Sequence, residues 1–130
     1  MKKEIQVVGA VIQSDNLIFC AQRGPGKSLA ELWEFPGGKI EAGETDREAL
    51  EREIKEELQC QIKVLDKITT NRYEYDFGFV NLTTFNCLLI DGQPKLTEHI
   101  DVKWLPINQL KTLNWAPADI PTIDILLNEN

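Results

Sequence analysis

Glu53, Glu56 and Glu57 stand at i, i+3 and i+4 in the run Arg52-Glu53-Ile54-Lys55-Glu56-Glu57. On a helix this spacing sets the three carboxylates on one face. Left to themselves they repel, because two charges about 5 Å apart cost roughly 3 kcal/mol at an effective dielectric of about 20. Crowded hard-oxygen ligands suit a divalent cation, magnesium or manganese. Upstream, Phe35-Pro36-Gly37-Gly38-Lys39-Ile40-Glu41-Ala42-Gly43-Glu44 reads as a glycine-punctuated loop that leads into the same helix. Glycine lets backbone come close to a ligand. Loop plus acidic helix predicts a site for a metal-bound phosphate compound. A glutamate-rich face taken alone is more often a solvated surface, and Glu48 and Glu51 are read that way.

The elements that must hold these groups can be read along the chain. Thr45-Asp46-Arg47-Glu48 is a capping box, with Thr45 as N-cap and Glu48 at N3. The helix should run from Asp46 to Leu58, with Leu50, Ile54 and Leu58 as its buried stripe. Ala49 falls on the acidic face, where a small side chain would leave room for ligands. Gln6 to Ile12 reads as a central strand, apolar on both faces. Ser14-Asp15-Asn16 turns the chain into a second strand, Leu17 to Arg23. Gly24 to Ser28 is a loop, and Leu32 to Phe35 a short extended piece. Ile62 to Tyr75 and Phe79 to Ile90 read as strands joined by a hairpin at Asp76-Phe77-Gly78. After a turn at Asp91-Gly92-Gln93-Pro94 come a strand, His99 to Leu105, and a short helix from Pro106 to Leu110. A last helix should span Pro117 to Leu127, with Ile120, Ile123, Leu126 and Leu127 turned inward. Strands with two substantial helices suggest a mixed sheet covered on both faces.

The 130 residues fit one domain with one core. No apolar stretch is long enough for a membrane span, and Met1-Lys2-Lys3-Glu4 lacks the apolar core of a signal peptide. The expected compartment is the cytoplasm. Cys20, Cys60 and Cys87 match neither a disulfide framework nor a zinc pattern and read as small buried hydrophobes. A net charge of −7 argues against long nucleic acid, which needs a basic stripe. A small polyphosphate that brings its own metal is compatible. With His99 the only histidine, a Ser-His-Asp engine is disfavoured and metal-assisted chemistry is not. Trp33, Trp104 and Trp115 read as packing residues, Trp115 being the candidate exception.

From Gly38 to Cys60 the chain resembles the signature of the Nudix hydrolase family. That pattern asks for a glycine, five residues, a glutamate, seven residues, then Arg-Glu-apolar-x-Glu-Glu-x-Gly-apolar. Gly38, Glu44, Arg52, Glu53, Ile54, Glu56 and Glu57 occupy those places, and Gln59 stands where the pattern has its closing glycine. The flanks are similar to the MutT-type branch: Ala21-Gln22-Arg23, Leu32-Trp33-Glu34-Phe35-Pro36-Gly37-Gly38, and Trp115-Ala116-Pro117-Ala118-Asp119-Ile120-Pro121. The last of these also resembles a segment of CTP-pyrophosphohydrolase-type members.

The resemblance implies an α+β Nudix fold, an α/β/α sandwich with a mixed, curved central sheet, over residues 1–130. It implies magnesium-dependent hydrolysis of a nucleoside triphosphate to monophosphate and pyrophosphate. The substrate would be 8-oxo-dGTP or a CTP or dCTP type, with nucleotide-pool sanitation as the role. Another nucleoside diphosphate compound such as ADP-ribose, or a silent nucleotide-binding domain, are the alternatives. The implied metal set is Glu53, Glu56, Glu57 and Glu98 with the backbone of Gly37. Glu53 or Glu98 would act as base, Arg52 would orient the carboxylates, and Glu44 would be a supporting or transient ligand. Arg23 would clamp phosphate, Phe35 and Asp119 would hold the base, and Gly37, Gly38 and Lys39 would line the substrate. Asp119 has a second reading as a helix cap, and His99 reads as structural or solvent-facing. The chain is expected to be a monomer or homodimer, with a small nucleotide as its partner.

Overall fold

The computed structural model describes residues 2–26, 28–95 and 97–129. Lys27 of the expected 24–28 loop, Leu96 of the Leu96-Thr97-Glu98-His99 segment, and both terminal residues lie outside the described residues. The chain runs β1 (Lys3–Ser14), β2 (Leu17–Arg23), β3 (Trp33–Glu34), β4 (Gly37–Lys39), α1 (Asp46–Leu58), β5 (Gln61–Tyr75), β6 (Gly78–Asp91), β7 (His99–Leu105) and α2 (Ile120–Asn128). Among these residues the strands form one seven-stranded sheet in the order β3-β2-β1-β6-β5, with β4 added to β1 and β7 to β2. β1 and β6 run parallel, and the other pairs are antiparallel. β5 lies at the margin of the sheet, and its pairing with β6 shifts register twice between Val64 and Thr69. This is a mixed, curved sheet between helices, the architecture that the resemblance implies.

Alternation along β1 splits the core in two. Val8, Ala10 and Ile12 pack with Leu50, Ile54 and Leu58 of α1 on one face. Val11 packs with Trp33, Phe35, Trp115, Ile123 and Leu126 on the other. A buried hydroxyl pair, Thr84 with Thr122 at 2.8 Å, ties α2 to β6. Each fully buried leucine or isoleucine of α1 contributes roughly 2 kcal/mol through burial. Cys20, Cys60 and Cys87 are free and buried. Burial pushes the Cys20 thiol up to about 12 and the Cys87 thiol likewise to about 12. Among the described residues no helix is long and apolar enough to cross a membrane.

α1 starts where the capping box places it. The Glu48 amide donates to Thr45 Oγ1 at 3.1 Å, and Glu48 Oε1 accepts from the Thr45 amide at 2.9 Å. Several expectations are corrected. Ala49 is fully buried in the core beside Leu50 and is not on the ligand face. The helix lies so close to the sheet that only a small side chain fits there. Gly37 to Lys39 is a strand, not a loop. A Cβ on Gly37 would sit 1.9 Å from the Val8 carbonyl oxygen, so glycine permits the approach of β4 to β1. The expected last helix is broken in two: Pro117–Asp119 is a 3₁₀ turn and the α-helical phase begins only at Ile120. Ile120 therefore points to solvent, 41% exposed, while Ile123 and Leu126 are buried. Ile107–Thr112 is a 3₁₀ helix.

At the C-terminus of α1, Gln59 takes the left-handed conformation (φ 54°, ψ 38°) that the family pattern assigns to glycine, and its amide reaches the Lys55 carbonyl at 3.1 Å. An L-residue held there costs roughly 1–2 kcal/mol, against about 0.5–1 kcal/mol of extra unfolded-state freedom that glycine would add. Gln59→Gly is therefore expected to raise stability by about 0.5–1 kcal/mol. Urea unfolding of the two proteins checks this, and equal or lower stability of the variant contradicts it.

Candidate active site

β4 and α1 meet edge to face, and the residue at the meeting point decides what can stand there. A Cβ on Gly38 would lie 2.3 Å from Glu53 Oε2, so glycine supplies the space that the Glu53 carboxylate fills. The room expected from Ala49 comes from Gly38 instead. One turn on, the Glu57 carboxylate is partly buried, and its Oε2 has no hydrogen-bond partner. Burial, and then the negative charges of Glu34, Glu53 and Glu98, push the Glu57 carboxyl up to about 9. A buried oxygen with no partner among the described residues, on a carboxyl raised by three other negative charges, belongs to a donor set that a hard divalent cation would relieve.

Arg52 organises the rest of the acidic face. Its Nε and Nη2 donate to Glu44 Oε2 and Oε1 at 2.6 and 3.0 Å, a bidentate pair. Its Nη1 donates to Glu53 Oε1 at 2.9 Å and to Glu56 Oε1 at 3.0 Å, and Nη2 also reaches the Lys39 carbonyl at 3.1 Å. Glu44 accepts in addition from the Glu41 amide at 2.9 Å. The Arg52 guanidinium, with that amide, holds the Glu44 carboxyl below its ordinary range. Among the described residues no three Asp, Glu, His or Cys side chains converge into a ready-made metal cluster. Glu56 is exposed and paired with Arg52, while Glu57 is partly buried.

Beside α1 opens a cavity of about 380 Å³, within the range of small-molecule sites. Of the residues singled out from sequence, it brings together Arg23, Phe35, Gly37, Gly38, Lys39, Glu57, Glu98 and Asp119. Glu44, Arg52, Glu53 and Glu56 are not part of its wall. Glu57 and Glu98 make part of its wall acidic, and an apolar group of Leu29, Tyr75, Val80, Leu82 and Ala118 forms another part.

Arg23, Phe35, Trp115 and Asp119 are each engaged within the protein. Arg23 has all three guanidinium nitrogens engaged within the protein: Nε donates to the Ser28 carbonyl at 2.7 Å, Nη1 to Glu34 at 2.8 Å and Nη2 to Ser28 Oγ at 3.4 Å. Phe35 is a core residue, 4.7 Å from the Trp115 ring. Trp115 is itself a packing residue, donating from Nε1 to the Leu110 carbonyl at 2.6 Å. Asp119 makes no capping hydrogen bond to α2. It turns inward, is buried, and its Oδ1 accepts the Phe35 amide at 3.1 Å. Burial and the charge of Glu34 raise its carboxyl well above the ordinary value, against the opposing pull of the Phe35 amide and Arg23.

Glu34 was not singled out from sequence and proves central. Its carboxylate receives Arg23 at 2.8 Å and faces His99 Nε2 at 2.9 Å. Burial pushes Glu34 up, but the hydrogen bond from His99 and the charge of Arg23 outweigh it and hold the carboxyl low. His99 is correspondingly buried rather than solvent-facing. Tyr75 was also missed; its hydroxyl accepts the Ala118 amide at 2.9 Å, next to Asp119. The available signal was a charged residue inside the apolar run Leu32-Trp33-Glu34-Phe35.

Residues 3–125 match the NUDIX domain family model, and the chain belongs to the Nudix hydrolases, enzymes acting on acid anhydrides. It is 34% identical to the CTP pyrophosphohydrolase of Escherichia coli K12, an alignment covering 96% of this chain and 93% of that one. It is 34% identical to the 8-oxo-dGTP diphosphatase of Haemophilus influenzae, covering 98% and 95%. Among solved structures, a MutT protein of the Nudix family from methicillin-resistant Staphylococcus aureus 252 superimposes with a TM-score of 0.82 at 55% identity, over 100% of both chains.

The buried Asp119 gives a pH-dependent expectation. A carboxyl whose native value is raised holds its proton more tightly when folded. Its stabilising share is complete below the unfolded value of about 3.9 and is lost as pH rises towards the native value. Asp119→Asn cannot ionise. Its stability relative to wild type should therefore improve from about pH 4 upward, by as much as about 1.4 kcal/mol per pH unit. Denaturant unfolding between pH 3 and 8 reads this, and a pH-independent difference would count against a protonated Asp119.

Proposed function

We propose that this chain hydrolyses a nucleoside triphosphate to the monophosphate and pyrophosphate, with magnesium or manganese as cofactor. The observation that carries the reading is one cavity lined by the carboxylates of Glu57 and Glu98 and by the buried Asp119. Glu53, Glu56, Glu57 and Glu98, with the backbone of Gly37, would hold the metal. When bound, the cation supplies charge neutralisation at the phosphate oxygens and lowers the pKa of water. Glu56 would have to leave Arg52 to join the set, while Arg52 keeps Glu44 and Glu53 oriented.

The chain's own residues do the rest. Water's oxygen bonds to an inner phosphorus while the bridging P–O bond of the α–β anhydride breaks, and the departing phosphate takes the electron pair. Glu53 or Glu98 accepts the water proton. Gly37, Gly38 and Lys39 line the phosphates. Arg23 would reach them only by giving up part of its hold on Ser28. Asp119 and the apolar wall around Phe35 receive the base. Burial raises the Asp119 carboxyl, and in its protonated form the group would suit an edge offering both a donor and an acceptor, as 8-oxoguanine and cytosine do. The similarity to an 8-oxo-dGTP diphosphatase and a CTP pyrophosphohydrolase supports the same two substrate types. Sanitation of the nucleotide pool is the role that follows.

The test is pyrophosphate release from 8-oxo-dGTP, dCTP, 5-methyl-dCTP, dGTP and ADP-ribose, with magnesium and with EDTA. Metal-dependent pyrophosphate from one of the triphosphates is expected. Glu53→Gln and Glu57→Gln should each lower kcat by on the order of a hundredfold or more. Full turnover in either variant, or cleavage of ADP-ribose alone, overturns the assignment.

A further inference from the structure

After β6, three described residues, Gly92, Lys95 and Thr97, meet the end of α1. The turn at Gly92 packs against Gln59 and Cys60. The Lys95 amide then donates to the Leu58 carbonyl at 2.8 Å. Next, the Thr97 hydroxyl donates to the Glu57 carbonyl. A helix leaves its last four carbonyls without intrahelical partners. In α1 the carbonyls of Lys55, Glu57 and Leu58 are taken by Gln59, Thr97 and Lys95. Two of these three caps come from one strap, and the residue that follows it is Glu98, which shares the cavity wall with Glu57.

We propose that Thr97 is a positioning residue: its side-chain hydrogen bond to the backbone of Glu57 clips the strap to α1 and sets the Glu98 carboxylate beside that of Glu57. The inference rests on the hydrolase reading for the use of Glu98, but not for the clip itself. Thr97 is exposed, so its hydroxyl can be removed without opening a cavity. A loop that supplies one carboxylate to a site built on a rigid helix needs such an anchor, because a displacement of about 1 Å can cost a hundredfold in rate.

Thr97→Val removes the donor at nearly constant shape, and Thr97→Ser restores it. In metal-free protein, the backbone ¹⁵N order parameter at Glu98 should be near 0.85 in wild type and Thr97→Ser, and fall below about 0.6 in Thr97→Val. With nucleotide and magnesium, kcat of Thr97→Val should drop about 10- to 100-fold with KM unchanged, and Thr97→Ser should recover it. An unchanged order parameter, or valine and serine variants with equal kcat, overturns the clip. If wild type releases pyrophosphate and the clip fails, the hydrolase reading stands. If wild type releases none, that reading falls, and the order parameters still decide the clip.

Discussion

One guanidinium holds the acidic surface together. Arg52 sits where Glu44, Glu53 and Glu56 would otherwise repel, and it spends its donors on all three and on the Lys39 carbonyl. It adds to the Thr45–Glu48 capping box a second tie between the loop ending at Glu44 and the helix carrying Glu53. The geometry around Gly38 depends on the same anchor, because the space left by the missing side chain is useful only while Glu53 is held in it. An arginine suits this task because its planar fork meets a carboxylate bidentately while its remaining face serves two more.

The cavity is built from both layers of the sandwich. α1 brings carboxylates from one face of the sheet, while the turn before α2 brings Asp119 from the other. Between them lies the Arg23–Glu34–His99 group, in which the hydrogen bond from His99 and the charge of Arg23 hold the half-buried Glu34 carboxyl low. Glu34 raises Asp119 and Glu57 alike. Two carboxyls of the cavity wall are linked electrostatically through a third.

How much of this was legible in the sequence follows from how local each determinant is. The capping box, the buried stripe of α1 and the hairpin at Asp76-Phe77 depend on neighbours within a few residues, and they stand where local rules put them. The signature glycines and carboxylates could be placed because their spacing is itself the pattern. Ala49 was misplaced because its face depends on how closely the helix approaches the sheet. Ile120 was misplaced because a 3₁₀ turn before it changes the helical phase. Arg23, Glu34 and His99 find one another only after β2, β3 and β7 assemble, and no spacing announces that meeting.

β5 is long, lies at the rim of the sheet and is bordered by β6. A straight rim of that length would recruit foreign strands. Its two slips in pairing between Val64 and Thr69 bend the ribbon there, and Lys63 and Lys67 add charge along the same stretch. The irregularity thus acts as a guard against fibril growth, and straightening it would trade solubility for regularity.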